Sequence, residues 1–240
     1  MGPGSRRSEA LREPHLILGL GELLWDVLPE GARLGGAPAN FSVMAARLGN
    51  HAAILSRIGR DDLGRRAIDR LESFSADASQ VQVDPAHETG RVTVSFEAGQ
   101  PSYTIHQPAA WDFLDLSDEW VRLAERADAI CFGSLAQRCL HSRQTIQTLA
   151  AQTSSTCVRV FDVNLRAPFY SGEVIQESLE LATVMKMNDA ELPLVLDFWD
   201  FLWTRRRQRR GCGWARSVCW ASFLRWKWWR LPAASMGACW

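Results

Sequence analysis

The segment Leu34–Gly64, LGGAPANFSVMAARLGNHAAILSRIGRDDLG, constrains this chain more than any other. Its paired glycines, Gly35 and Gly36, let backbone approach a ligand where a Cβ would block it. They lead through Ala37-Pro38-Ala39 to Asn40, whose carboxamide offers both a donor and an acceptor. That combination suits a polyhydroxylated molecule. The same residues also read as a plain strand-to-helix turn with a capping asparagine, and the two readings are compatible. Phe41, Met44, Ala45 and Leu48 fall at i, i+3, i+4 and i+7, the spacing of a helical stripe, and Gly49-Asn50 stops it. Ala53 to Ile58 reads as one strand.

The rest of the chain to about Leu196 keeps a strand–helix rhythm. Leu16–Leu20 is a short apolar run and reads as a buried strand. Leu63, Ala67, Leu71 and Phe74 mark a second helix. Arg91 to Phe96 alternates, and Gly99-Gln100-Pro101 turns it into Tyr103–His106, a hairpin. Ser117 precedes a helix carrying Trp120, Leu123, Ala124 and Ala127. Three further strands are expected at Ala129–Phe132, Val158–Val163 and Thr183–Met187, with helices near Ser142–Gln152 and Glu173–Ala182 between them. Alternation of this kind points to the α/β class, a parallel sheet covered on both faces.

The Leu34–Gly64 segment resembles the N-terminal signature of the ribokinase/fructokinase (PfkB) sugar kinases, at Gly35, Gly36, Pro38, Asn40, Ser42, Gly49 and Gly59. The resemblance covers about residues 15–196. It implies a ribokinase-like parallel sheet with a small β lid, the hairpin at about 90–107, and ATP-dependent phosphorylation of a sugar hydroxyl. The GGAPAN form of the motif favours a fructose-like ketohexose. It also implies a sugar-binding role for Asp26, Gly35, Gly36 and Asn40, ATP and Mg²⁺ as cofactors, and a homodimer through the lid. Asp26 reads otherwise as a solvated turn aspartate just after the first strand.

Two more segments fit the resemblance. Asp162-Val163-Asn164-Leu165-Arg166 ends a strand, where open α/β sheets bind ligands. Its likeness to the family's D-x-N-x-R segment places Asn164 near the transferred phosphate and makes Arg166 a phosphate stabiliser; the plain alternative is a loop ion pair. Asn188-Asp189-Ala190-Glu191 resembles the family's N-x-x-E motif, in which Asn188 and Glu191 organise Mg²⁺ and its waters, with no direct metal ligand assigned. The same four residues also read as a helix capping box. His106, Tyr103, Gln107, Pro108 and Trp111 lie in or beside the hairpin, and none is given a role.

The general base of this family lies in a C-terminal D-T-x-G-A-G-D segment, and no such segment occurs in this sequence. No Asp or Glu follows Asp200. The formal net charge of zero hides a divide near Phe198. Before it stand 18 basic and 26 acidic residues; after it, 9 basic and 1 acidic. Eight of the 11 tryptophans also lie after it.

The expected organisation is therefore a disordered leader at 1–14, an incomplete kinase domain at 15–198 and a basic Trp/Arg-rich tail at 199–240. In GC-rich coding DNA a slipped reading frame would give such a tail. A genuine tail of that composition would instead suit nucleic acid, through phosphate contacts and stacking. A non-catalytic sugar-binding or regulatory protein is the other rival reading. None of the six cysteines forms a C-x-x-C pair, so a zinc site is not expected. No charge-free run of 18 apolar residues occurs, and a cytoplasmic protein without a membrane partner is the expectation.

Overall fold

The computed structural model describes residues 13–97 and 100–198. The tail, and all but residues 13 and 14 of the expected leader, lie outside the described residues. Strand β1 (Leu16–Leu20) is followed by β2 (Leu24–Leu28), β3 (Gly31–Gly35) and helix α1 (Ala37–Arg47). Strands β4 (His51–Leu55) and β5 (Arg57–Gly59) lead to α2 (Asp62–Ser73). Then come β6 (Gln82–Asp84) and the hairpin strands β7 (Gly90–Glu97) and β8 (Gln100–Ile105). From α3 (Asp118–Arg126) the chain alternates through β9 (Ala129–Gly133), α4 (Leu140–Gln152), β10 (Val158–Asp162), α5 (Gly172–Leu181) and β11 (Val184–Lys186). Residues 191–198 are helical.

Side-chain caps set the helix starts. Asp61 accepts the Gly64 amide at 2.7 Å, Ser117 that of Trp120 at 3.2 Å, and Ser171 that of Val174 at 3.2 Å. Each satisfies an amide that the first helical turn would leave unpaired.

Five strands form a parallel sheet in the order β11-β10-β9-β1-β4. Phe132 and Phe161 stand on neighbouring strands with ring centroids 5.7 Å apart, and both are fully buried with Leu18, Leu20, Ile130, Ile146 and Leu149. Full burial of each such side chain stabilises the fold by about 1.5–3 kcal/mol.

A second sheet, β3-β2-β7-β8, supplies the lid. The hairpin lies where the sequence places it, but two strands from the N-terminal segment extend it. Strand β2 pairs with β3 antiparallel and with β7 parallel. Asp26 therefore does not sit in a turn after the first strand: it lies inside β2, half-buried. The single strand expected over Ala53–Ile58 is broken at Ser56. Beyond that point β5 leaves the main sheet and pairs with β6. Ser56 is fully buried and donates its hydroxyl to the Gly21 carbonyl at 2.7 Å. That bond turns the chain out of the main sheet.

The face of α1 also differs from the apolar stripe. Met44 is 44 % and Leu48 78 % exposed, whereas Pro38, Ala39, Ser42 and Val43 are buried. Close approach explains the rotation. A Cβ on Gly19 of β1 would lie 2.1 Å from the Pro38 carbonyl and 2.5 Å from Ser42 Oγ. Small residues let the helix sit on the strand, and the buried Ser42 hydroxyl is satisfied by the Ala53 carbonyl at 3.0 Å. Among the described residues no helix is long and apolar enough to cross a membrane.

Candidate functional site

The C-terminal ends of β1, β9, β10 and β11 share one edge, and the register places Gly133, Asp162 and Lys186 side by side across it. Asp26 and Gly35 meet above this edge. Leu24 pairs with Gly35 in register, and a Cβ on Gly35 would stand 2.7 Å from Asp26 Oδ2. Gly36 has φ 110°, a backbone state that side chains rarely adopt, and a Cβ there would lie 2.3 Å from the Glu22 carbonyl oxygen. Gly36 is thus required by space and backbone conformation, whereas a side chain at Gly35 would displace the Asp26 carboxylate.

Gly36 is also the residue that caps α1; Asn40 is not the cap. Asn40 lies one turn into the helix, its amide donating to the Gly36 carbonyl at 2.9 Å. No described hydrogen bond uses its side chain, which is half-buried. The cap reading fails because Pro38, locked in helical φ, already belongs to the first turn.

Asn164 has φ 34°, in the left-handed region that asparagine tolerates better than most residues. It turns the chain after β10 so that Arg166 comes back over the edge. The Arg166 guanidinium acts electrostatically on Glu22, Asp26 and Asp162 alike. Burial lifts the Asp26 carboxyl above its ordinary range and Arg166 pulls it back. Asp162 is also lifted by burial, against the opposing pull of Lys186, whose Nζ lies 3.0 and 3.1 Å from its two oxygens.

Asn188 and Glu191 form the capping arrangement. The Glu191 amide donates to Asn188 Oδ1 at 3.0 Å, and the Asn188 amide donates to Glu191 Oε2 at 2.9 Å. The other carboxylate oxygen, Oε1, accepts the Leu165 amide at 2.8 Å. Glu191 therefore ties the Asn164–Arg166 turn to the helix at 191–198. Both its oxygens accept backbone amides.

The residues singled out in the sequence thus fall into two groups, Asp26–Gly35–Gly36–Asn40 and Asn164–Arg166–Asn188–Glu191, joined at Arg166. Two neighbours carry no signal in the sequence, Glu22 and Lys186. A glutamate in Gly-Glu-Leu-Leu reads as solvated, but Glu22 is 2 % exposed. A lysine ending a strand carries no signal until the register sets it opposite Asp162. His106 pairs its ring with Thr93 Oγ1 at 2.8 Å, and its carbonyl accepts from Arg138.

Residues 30–197 match the model of the pfkB family of carbohydrate kinases. The chain belongs to that family. It is 30 % identical over 194 residues to a sugar kinase of Pyrococcus horikoshii, spanning 74 % of this chain and 63 % of that protein. To the fructokinase of Salmonella typhimurium it is 31 % identical over 189 residues, 73 % of this chain and 61 % of the relative. The chain thus spans about three-fifths of these relatives' length.

The solved Pyrococcus kinase superposes with a TM-score of 0.69 at 30 % identity, over 76 % of this chain and 66 % of that one. A fructokinase from Vibrio cholerae, solved with fructose, ADP and calcium ion bound, gives 0.64 at 27 % identity over 75 % and 62 %. The α/β architecture with a lid is therefore the ribokinase-like fold of these kinases.

Proposed function

We propose that this chain carries the sugar-binding part of an ATP-dependent sugar kinase acting on a hydroxyl of a fructose-like ketohexose. The observation that carries the reading is Asp26 set against Gly35 of the Gly35–Gly36 turn and acted on by Arg166, with Asn40 one turn into the helix that the turn opens. Asp26 can accept hydrogen bonds from two hydroxyls, and Asn40 can both donate and accept. Arg166 supplies positive charge for a phosphoryl group. The structural relatives support the choice of substrate: one is a fructokinase solved with fructose and ADP. Mg²⁺ bound with ATP would neutralise phosphate charge. Asn188 and Glu191 fit that group as water-mediated partners, since their direct bonds go to backbone. The domain carrying this site is placed at 15–198.

Calorimetry with D-fructose tests the site. Asp26→Ala and Asn40→Ala are each expected to weaken binding by about 1–3 kcal/mol, because each strands sugar hydroxyls in a partly buried site. Unchanged affinity in both variants would reject the assignment.

The tail carries a separate expectation. If residues from about Leu196 to Trp203 mark a frame slip, another forward frame of the coding DNA encodes α/β periodicity and a D-x-x-G-A-G-D segment. Sequencing that DNA decides it, and the absence of such a segment in every frame rejects the slip.

A further inference from the structure

Glu22 lies directly beneath the sugar-contact turn and is held as no surface carboxylate would be. It follows β1 at the C-terminal edge of the parallel sheet and is 2 % exposed. Its Oε1 accepts the Ala37 amide, the first of α1, at 3.2 Å. Its main-chain carbonyl is the atom that a Cβ on Gly36 would strike. Its Oε2 is buried and has no hydrogen-bond partner among the described residues. A Cβ on Gly133 of β9 would lie 3.9 and 4.0 Å from the two carboxyl oxygens, so the group is walled in on that side as well.

We propose that Glu22 is a positioning residue for the sugar site: its neutral carboxyl braces the Gly36–Ala37 turn, and its ionisation releases that turn and the Asn40 behind it. The inference rests on the reading of that turn as a sugar contact. The chemistry follows from the two oxygens. A neutral carboxyl keeps Oε1 as acceptor for Ala37 and places a proton on the unpartnered Oε2. An ionised carboxylate would leave a buried oxygen with charge and no donor, which is costly. Opening the turn exposes Glu22 to water, where the ionised form is cheap. Proton loss therefore favours the open turn.

The surrounding charges fit this. Burial raises the Glu22 carboxyl from 4.5 to about 7; its own amide and that of Ala37 oppose the rise. Asp162 from β10 adds to it and Arg166 from the following turn reduces it. Cys131 from β9 faces the same space as a buried thiol, itself raised by burial, Asp162 and Glu22. Lys186 from β11 is spent on Asp162. Asp26, across the turn in β2, shares Arg166.

The sign is set by the raised value in the closed state. Bracing is full below about 4.5, is lost as pH climbs toward about 7, and is level above that. Hydrogen exchange of the Ala37 amide, corrected for base catalysis, tests it on the intact chain. In the unaltered protein, protection is expected to fall by up to about tenfold per pH unit between 5 and 7. In Glu22→Gln, which keeps an oxygen for Ala37 and cannot ionise, the profile is expected to be flat. A flat profile in the unaltered protein overturns the proposal, whether or not the variant folds. So does an equal fall in Glu22→Gln, or a fall shared by the amide of Leu149 in α4, which would report loss of the whole domain. The measurement uses no sugar, so the two failures are distinguishable: failure of the calorimetric test removes the sugar role of the turn, and failure here removes the Glu22 brace.

Discussion

Arg138→Met is expected to lower the thermal midpoint by about 6–20 °C. Arg138 and Asp112 are each about 6 % exposed and face each other through two bonds. Nε donates to Oδ1 and Nη2 to Oδ2, both at 2.8 Å. The guanidinium lies 3.9 Å from the centre of the Trp111 ring and 4.9 Å from that of Phe169. Nη2 also donates to the His106 carbonyl at 3.1 Å, at the end of lid strand β8. One side chain therefore ties the lid, the turn at Ala110–Phe113 and the loop after β10.

Methionine fills much of the same volume but leaves the Asp112 carboxylate buried without a counter-charge. Breaking a buried pair from one side costs about 3–5 kcal/mol. A domain of this size loses about 2–4 °C for each kcal/mol. The second variant separates charge from packing. Asp112→Asn added to Arg138→Met removes the stranded charge and retains an oxygen for the Ala109 amide, which Asp112 Oδ2 accepts at 2.9 Å. It is expected to recover more than half of the loss. Calorimetric midpoints within 3 °C of the parent for the single variant would show that the pair carries little net energy.

The sequence and the structure agree where one local signal decides. β9, β10 and β11 are short runs between helical stretches, and register sets them beside β1 in a parallel sheet. Gly36 is equally legible, because its positive φ and the Glu22 carbonyl beside it leave no room for a Cβ, and glycine is the residue without one. Legibility fails where a residue's fate depends on a distant partner. Trp25 and Asp26 adjoin in sequence and face opposite ways: Trp25 donates Nε1–H to the Leu63 carbonyl at 2.9 Å, while Asp26 faces Gly35. A lid strand with two partners cannot be read from five residues.

In α1, Met44 and Leu48 are more apolar than Ala39 and Ser42, yet the small residues are buried because β1 approaches through Gly19. Packing space overrides hydropathy there. Glu22 is the clearest case. Its type predicts solvent, and its burial follows from β1 lying between β4 and β9.

A polypeptide of these 240 residues is expected to show no measurable fructose phosphorylation. The transfer needs a group to take the hydroxyl proton and donors placed for the phosphate charge. The described edge offers four carboxylates, and each is committed elsewhere. Asp26 is the proposed sugar contact, and Glu22 is sealed beneath the turn. Asp162 is held by Lys186, and Glu191 has both oxygens on backbone amides. No Asp or Glu follows Asp200 in the sequence.

Loss of a general base costs a factor of about 10²–10⁴. Loss of a donor to the developing charge costs about 10²–10³ more, and the glycine-rich D-T-x-G-A-G-D turn that by resemblance would supply such amides does not occur in the sequence. Together they put turnover below the reach of a coupled ADP-release assay. The fructokinase of Escherichia coli, 30 % identical over 201 residues, serves as the active reference. Turnover within tenfold of that enzyme on D-fructose and MgATP would refute the expectation. It would also require one of the four carboxylates to act as the base, and Asp26, half-buried at the edge and without a cation bonded to it among the described residues, would be the first to replace.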